Sequence, residues 1–126
     1  LFESICSATG ASLEIELPAN DVPVFIDPVL MEQVVTNIVK NAAESAGQGG
    51  KVEIAIHQPG ATLVITDNGP GISPEAAEML FTPFFTTKES GHGLGLLLVS
   101  EVLNSHGCRF SLETCPDGLT RFRIRF

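Results

Sequence analysis

Asp67-Asn68-Gly69-Pro70-Gly71-Ile72 follows Thr62 to Thr66, an apolar run with the composition of a buried strand. A carboxylate and two glycines at the end of a strand are ordinary turn chemistry. The same residues also suit a ligand, because a carboxylate there accepts a hydrogen bond from the exocyclic amine of adenine and a glycine lets the backbone approach the ring. This stretch by itself leaves both interpretations open.

A second glycine-rich stretch, Gly91-His92-Gly93-Leu94-Gly95-Leu96, opens an apolar helical pattern further along the chain. It lacks the preceding strand of a dinucleotide-binding fingerprint and the Gly-Lys-Ser/Thr of a phosphate-binding P-loop. Backbone amides at a helix N-terminus nevertheless favour anions. Lys88, just upstream, is placed to reach a terminal phosphate, although such a lysine is more often a solvated surface charge. The two stretches together indicate a nucleotide pocket, with one wall for the base and one for the phosphates.

Asn37 and Asn41 lie one turn apart on a predicted helix and therefore share a face. Two asparagines among Val and Ile go against helix propensity, and a polar stripe facing solvent is the simpler interpretation. A pair half-sunk into a cleft is the alternative, because amide oxygens suit Mg²⁺, which relies largely on water and substrate phosphates. The pair is therefore a candidate metal site.

The bulk composition narrows the function classes. With 126 residues, 44% of them hydrophobic, the chain is long enough for a single domain over 1–126 with its own core. A net charge of −8 argues against nucleic acids and anionic membranes, and it leaves phosphate charge to be met by backbone amides and a metal ion. Three cysteines without paired spacing suit a reducing compartment, with the thiols as small core residues. The chain begins without Met, and we interpret it as part of a longer protein.

Hydrophobic periodicity and turn residues predict alternating helices and strands. The predicted strands cover 13–17, 24–26, 52–56, 62–66, 109–114 and 119–126, and the predicted helices cover 28–45, 74–80 and 94–105. Residues 82–92 show no clear period, although Phe84 and Phe85 lie within them. These two side chains are either the hydrophobic pegs of a mobile lid or residues that pin a long loop to the core.

The order of these features resembles the ATP-binding domain of sensor histidine kinases. Residues 33–42 resemble the N box, 67–72 the first glycine box, 81–88 the F box and 91–96 the second glycine box. Residues 118–122 are similar to the closing Gly-Thr-x-Phe strand, with the Gly-Thr pair separated. Four motifs in the right order are more specific than any one of them. The Pro-Phe-Phe-Thr-Thr-Lys segment is most similar to the nitrogen-regulation type of sensor kinase.

The resemblance implies an α+β fold of the Bergerat type, shared with gyrase, heat-shock chaperones and mismatch-repair ATPases. This is a two-layer sandwich, in which a mixed and mostly antiparallel sheet of about five strands packs on about three helices. It also implies that the chain binds ATP with Mg²⁺ and transfers the γ-phosphoryl group to a histidine on a separate dimerisation domain.

The resemblance also implies roles for individual residues. Mg²⁺ would lie on Asn41, with Asn37 as its helper, and adenine on Asp67. Asn37 and Lys88 would be the catalytic positions. The nucleotide-binding set that the family pattern implies, by position, is Asn41, Glu44, Ser45, Asp67, Gly69, Gly71, Ile72, Phe81, Thr87, Lys88, Gly91, His92, Gly93, Leu94, Gly95, Leu96 and Thr120.

Two departures from the family pattern change the expected chemistry. Relatives that hydrolyse ATP carry a Glu one turn before the metal-binding Asn, whereas this chain has Asn37, an amide with no useful basicity. We therefore expect little intrinsic ATP hydrolysis. Many sensor kinases carry Lys and Tyr where this chain has Glu44 and Ser45. Mg²⁺ and Lys88 are therefore expected to offset more of the phosphate charge.

None of His57, His92 and His106 is followed by an acidic residue, as the substrate histidine of the family is. The implied partners are therefore a histidine-bearing dimerisation domain of the same full-length protein and a response regulator downstream. We expect a cytoplasmic location, with no nucleic acid and no direct membrane contact of this chain. Two alternatives on the same fold stay open: a serine kinase of the anti-sigma type, and a nucleotide-binding module without transfer activity. Asn37 disfavours a third, a self-sufficient ATPase.

Overall fold

The computed structural model describes residues 1–58, 60–81 and 95–126. Within these ranges the chain forms four helices and five strands. In chain order they are α1 (Phe2–Thr9), β1 (Ser12–Glu16), α2 (Pro28–Ala46), β2 (Lys51–His57), β3 (Thr62–Asp67), α3 (Pro74–Met79), α4 (Gly95–Ser105), β4 (Arg109–Thr114) and β5 (Thr120–Arg125).

The five strands form one sheet in the order β1-β2-β3-β5-β4. β1 runs parallel to β2, and the other three neighbouring pairs are antiparallel. The hairpins β2–β3 and β4–β5 need only short turns, whereas the parallel pair needs a long crossover, which contains α2. The expected α+β fold with a mixed, mostly antiparallel sheet is confirmed.

The core lies between one face of this sheet and the helices. Along β5 the buried residues Phe122 and Ile124 alternate with arginines that are partly buried or exposed, so one face of the strand points inward. α2 and α4 pack against each other over that face, where Val34 and Leu103 are fully buried. The C-terminal end of α2 therefore lies next to the start of β2 and the end of β3.

One expectation about the elements is wrong. Residues 24–26 form no strand and belong to the connection between β1 and α2, in which Phe25 is fully exposed. Pro23 and Pro28 flank this short apolar run, and a proline has no backbone N–H to donate to a sheet. The described residues contain four helices, in keeping with the expected three or so, and the first of them, α1, contributes the buried Cys6 to the core.

The start of α2 depends on one side chain. Asp27 Oδ1 accepts hydrogen bonds from the backbone N–H of Val29 at 3.0 Å and of Leu30 at 3.1 Å. We expect Asp27→Ala to lower the free energy of unfolding by about 1 kcal/mol, because two amides of the first turn lose their acceptor. Urea unfolding measures this change, and Asp27→Asn, which keeps an acceptor oxygen, is the control. Equal destabilisation by both variants would contradict the capping role.

No helix of the described part of the chain is both long and apolar enough to cross a membrane.

The expectation that the cysteines are core residues holds for Cys6 and Cys108, both buried, and burial raises the pKa of both thiols. Cys115 departs from it, because this thiol is only partly buried, at the turn between β4 and β5.

Candidate functional site

Three polar side chains lie side by side at one end of the sheet. In the strand register Asp67 of β3 is opposite Thr120 of β5, which is opposite Thr114 of β4. Side chains alternate between the two faces of a strand, and all three residues fall on the face that points inward. Asp67 is 6% exposed and Thr120 is 5% exposed. A buried carboxylate is costly unless it is hydrogen-bonded, so this end of the sheet is a specialised polar site.

The turn after β3 is held close to Asp67. Asp67 Oδ1 accepts a hydrogen bond from the backbone N–H of Gly69 at 2.9 Å. Asn68 Oδ1 accepts one from the N–H of Lys51 at 2.8 Å, which ties the turn to the start of β2. The carboxylate therefore has one oxygen committed to its own turn.

Gly69 lies directly against the C-terminal end of α2. A Cβ on this residue would lie 2.3 Å from Ser45 Oγ and 2.5 Å from the Ser45 carbonyl oxygen. No real Cβ makes such contacts, so only glycine fits there. The sequence placed Gly69 and Ser45 in one binding set, and the structure brings these two residues together.

Thr114 is a member of this site that the sequence analysis missed. Its Oγ1 accepts a hydrogen bond from the backbone N–H of Ile72 at 2.8 Å and lies 2.9 Å from Thr120 Oγ1. Gly71 has φ +84°, and a Cβ there would meet Thr114 Oγ1 at 3.0 Å. A threonine in a strand is common, and only its register opposite Thr120 distinguishes this one.

The two asparagines of α2 are half-buried, whereas Glu44 on the same helix is exposed. Asn37 and Asn41 are therefore not a fully solvated stripe, and they flank the buried residue Ile38. Among the described residues, no group of three or more His, Cys, Asp or Glu side chains is placed to hold a metal ion. An ion at this helix would therefore need amide ligands together with ligands that the substrate brings.

The phosphate side of the predicted pocket is described only in part. Gly95 and Leu96 form the first turn of α4, where Gly95 is exposed and Leu96 packs partly against the core. Six members of the predicted set, and both proposed pegs Phe84 and Phe85, lie outside the described residues. Those six are Thr87, Lys88, Gly91, His92, Gly93 and Leu94.

Phe81 makes its described ring contacts with the core. Its ring centroid lies 5.5 Å from that of Phe110 and 6.1 Å from that of Phe122, both in edge-to-face geometry. The residue therefore anchors the end of the described range 60–81 to β4 and β5. Its predicted place in the nucleotide-binding set stays a prediction.

Two ion pairs lie near Thr114 and Thr120, one at the turn between β4 and β5 and one between the outward faces of the two strands. Arg121 donates to both carboxylate oxygens of Asp117, at 3.1 and 2.7 Å, and Arg123 Nη1 lies 2.9 Å from Glu113 Oε1. The hydrogen bonds from Arg121 lower the pKa of Asp117, and the same pairing raises the pKa of Arg121. These guanidinium groups are therefore engaged in holding the hairpin.

One histidine that the sequence left unassigned has a structural role at the opposite end of the sheet. His106 Nε2 accepts a hydrogen bond from the Asp27 N–H at 3.1 Å, and Nδ1 lies 2.8 Å from the Val102 carbonyl oxygen. The neutral imidazole with its proton on Nδ1 satisfies both contacts. His106 thus fixes the end of α4 to the start of α2.

Comparison with known proteins shows the family of the chain. A family model described as "Histidine kinase-, DNA gyrase B-, and HSP90-like ATPase" matches residues 26–126. The chain is 34% identical over 113 residues to the sensor protein DctB of Rhizobium meliloti, covering 86% of this chain and 18% of that protein. It is 34% identical over 121 residues to the sensor histidine kinase CpxA of Escherichia coli, covering 91% of this chain and 26% of CpxA. The chain thus spans about a quarter or less of the curated relatives that it matches.

Solved structures show the same fold. The catalytic domain of histidine kinase ThkA, in a nucleotide-free form, superposes with a TM-score of 0.85 at 29% identity, covering 98% of this chain and 82% of that one. The mycobacterial sensor histidine kinase MprB gives a TM-score of 0.82 at 29% identity, covering 97% of this chain and 87% of that one. The chain belongs to the histidine kinase-, DNA gyrase B- and HSP90-like ATPase family, and within that family it corresponds to the catalytic domain of sensor histidine kinases.

Proposed function

We propose that this chain binds ATP with Mg²⁺ and transfers the γ-phosphoryl group to a histidine of a separate dimerisation domain in the same full-length protein. The observation that carries the proposal is the buried Asp67, which lies beside Thr120 at one end of the sheet. The turn that follows Asp67 contains Gly69 and Gly71. A carboxylate accepts hydrogen bonds only, and the exocyclic amine of adenine is a donor. The glycine turn packs closely against Ser45 and Thr114, next to that carboxylate.

Mg²⁺ fits the residues of α2 as an ion carried in with the substrate. Asn41 and Asn37 offer neutral amide oxygens from a half-buried face, and phosphate oxygens and water complete the shell of such an ion. Bound Mg²⁺ would neutralise part of the triphosphate charge, which a chain of net charge −8 needs for this ligand. Lys88 and the amides of 93–96 are proposed to contact the phosphates.

The proposed transfer is an in-line displacement on the γ-phosphorus. An imidazole nitrogen of the partner histidine forms the new N–P bond while the bond from the γ-phosphorus to the bridging oxygen breaks, and ADP keeps that oxygen and its electron pair. The chain mainly positions the two reactants and offsets charge. Asn37 replaces the acid that would activate water, so hydrolysis is expected to be slow.

The remaining parts of the proposal concern the whole protein. The phosphoryl group would pass from the histidine to a response regulator, in a sensor kinase of the nitrogen-regulation type. The residues 1–126 would act as one domain on the cytoplasmic side, without binding nucleic acid and without direct membrane contact. The relatives named above support this assembly, because they are sensor proteins several times longer than this chain.

Labelled ATP tests the transfer in the full-length protein. We expect label on histidine, recognised because phosphohistidine is lost in acid and retained in alkali, with little free phosphate released. Removal of Mg²⁺ by a chelator is expected to abolish labelling and to weaken ATP binding strongly. Acid-stable label on serine would instead favour the anti-sigma type of kinase. Binding without any transfer would favour a nucleotide-binding module.

A further inference from the structure

We propose that the outward face of β4 and β5, around the arginine pair Arg109–Arg125, is a docking surface for a short acidic segment of a partner protein. The pair lies at the end of these strands away from Thr114 and Thr120. The inference therefore concerns a second surface, and it does not depend on the proposed nucleotide binding.

Positive charge is concentrated on this face of the sheet. All four arginines of the chain alternate with the inward-facing residues of β4 and β5, and they are Arg109, Arg121, Arg123 and Arg125. Arg121 and Arg123 are ion-paired with Asp117 and Glu113. Arg109 and Arg125 have no ion pair and no side-chain hydrogen bond among the residues that the structure describes. Two positive charges thus stay uncompensated on a chain of net charge −8.

The two unpaired arginines are direct neighbours across the strands. Arg109 of β4 is opposite Arg125 of β5, and both are exposed. Opposite residues of an antiparallel pair hold their side chains about 5 Å apart, and like charges at that spacing destabilise the sheet. A charge on an outer strand discourages unwanted strand pairing, which would account for Arg109. It does not account for Arg125, because β5 lies between β3 and β4.

The sheet face around the pair carries no acid across β2 to β5 in the described residues. The pair belongs to a row of opposite residues that crosses these four strands: His57, Thr62, Arg125 and Arg109. The next row on the same outward face is Ala55, Val64, Arg123 and Ser111. Neither row holds a carboxylate, so the charge on the pair is not offset by its surroundings.

Two adjacent guanidinium groups select the chemistry of the partner. Each presents a planar fork of donors that matches a carboxylate, so two forks together suit two acidic side chains. The net charge of −8 disfavours nucleic acids and anionic membranes, which would face the acidic remainder of the chain. A short acidic segment contacts only the pair, since exposed charges more than about 8 Å away are largely screened at physiological ionic strength.

Binding of an acidic peptide to the 126-residue chain tests this surface. The probe is an eight-residue peptide of alternating serine and glutamate, titrated at physiological ionic strength while the backbone amide signals are followed by NMR. We expect the largest shifts at 109–111 and 123–125. We expect Arg109→Gln and Arg125→Gln each to weaken binding about fivefold, and the double variant to weaken it about twentyfold.

Two controls make the test specific to the arginine pair. Lys51→Gln removes one positive charge from the same face at the start of β2, and it should leave peptide affinity at the wild-type value. A peptide with glutamine in place of glutamate should not bind. Mg-ATP affinity should be unchanged in the double variant, because the pair lies at the far end of the strands from the nucleotide site.

Several outcomes would overturn the inference while nucleotide binding stands. They are failure of the wild-type chain to bind the peptide, unchanged affinity in the folded double variant, and largest shifts away from β4 and β5. Tighter binding of a short DNA duplex would instead indicate a nucleic-acid surface. A dimer of the chain that the double variant loses would make a second copy the occupant. The two single variants decide the matter if the double variant does not fold.

Discussion

Replacing Asp67 with Asn is expected to weaken Mg-ATP binding about a hundredfold, because the replacement reverses the hydrogen-bonding character of the base pocket. One oxygen of Asp67 accepts from the Gly69 N–H at 2.9 Å, and the single oxygen of an asparagine would take over that bond. The amide nitrogen of the new side chain would then face the base. A donor opposite the donating amine of adenine replaces attraction with repulsion.

Calorimetric titration of the Asp67→Asn chain with Mg-ATP measures this loss, and a thermal melt confirms that the chain is folded. Asp21→Asn is the matched control, because it removes one exposed carboxylate that lies near His106, at the opposite end of the sheet. Its affinity for Mg-ATP should equal that of the wild type. Wild-type affinity in a folded Asp67→Asn chain would exclude Asp67 as the base-binding acid.

Gly69→Ala is expected to lower the free energy of unfolding by about 3 kcal/mol and to abolish detectable ATP binding. The added Cβ would lie 2.3 Å from Ser45 Oγ, and either α2 or the turn after β3 must move to admit it. Both elements carry proposed binding residues, Asn41 on the helix and Asp67 before the turn. Urea unfolding and calorimetric titration measure the two effects.

A second substitution at the point of contact makes this prediction specific. Ser45→Ala removes the Oγ contact but leaves the Ser45 carbonyl oxygen, which would still lie 2.5 Å from the added Cβ. We therefore expect the double variant Gly69→Ala with Ser45→Ala to remain about as unstable as Gly69→Ala. Full recovery of stability in the double variant would show that the side chain, not the backbone, limits the space. Gly107→Ala measures the contrasting case of backbone strain without a clash, because φ is +69° there, unlike at Gly69, and no atom lies within 4 Å of the added Cβ.

The elements with a strong local signal were predictable from the sequence. α2 begins at the Asp-Pro pair that its capping side chain and proline indicate, and it ends at Ala46, one residue beyond the predicted end. The hairpin strands β2 and β3 and the closing strands β4 and β5 lie within a residue or two of their predicted ranges. Residues 24–26 were mispredicted, because a short apolar run gives no information about whether a neighbouring strand is available to pair with it.

The candidate site shows where sequence reasoning stops. Asp67, Gly69 and Gly71 could be selected as candidates from the local sequence, because an acid and glycines directly after an apolar run indicate either a turn or a ligand site. Thr114 does not stand out, because its role comes from a strand register. Ser45 entered the predicted set only through the family pattern, and its contact with Gly69 comes from the approach of a helix end to a turn. His106 gave no signal either, and its contact with the Asp27 N–H joins residues 79 positions apart in the chain.

The sequence by itself determined the periodicities, the helix caps, the glycine turns and the order of the four motifs, because each depends on neighbours along the chain. Tertiary structure alone decided which groups share a surface: that Asp67, Thr120 and Thr114 form one polar row, that Gly69 has no space for a Cβ, and that His106 joins α4 to α2. The physical reason is that strand pairing and helix packing bring together residues far apart in the chain. Their hydrogen bonds and steric limits exist only after that packing.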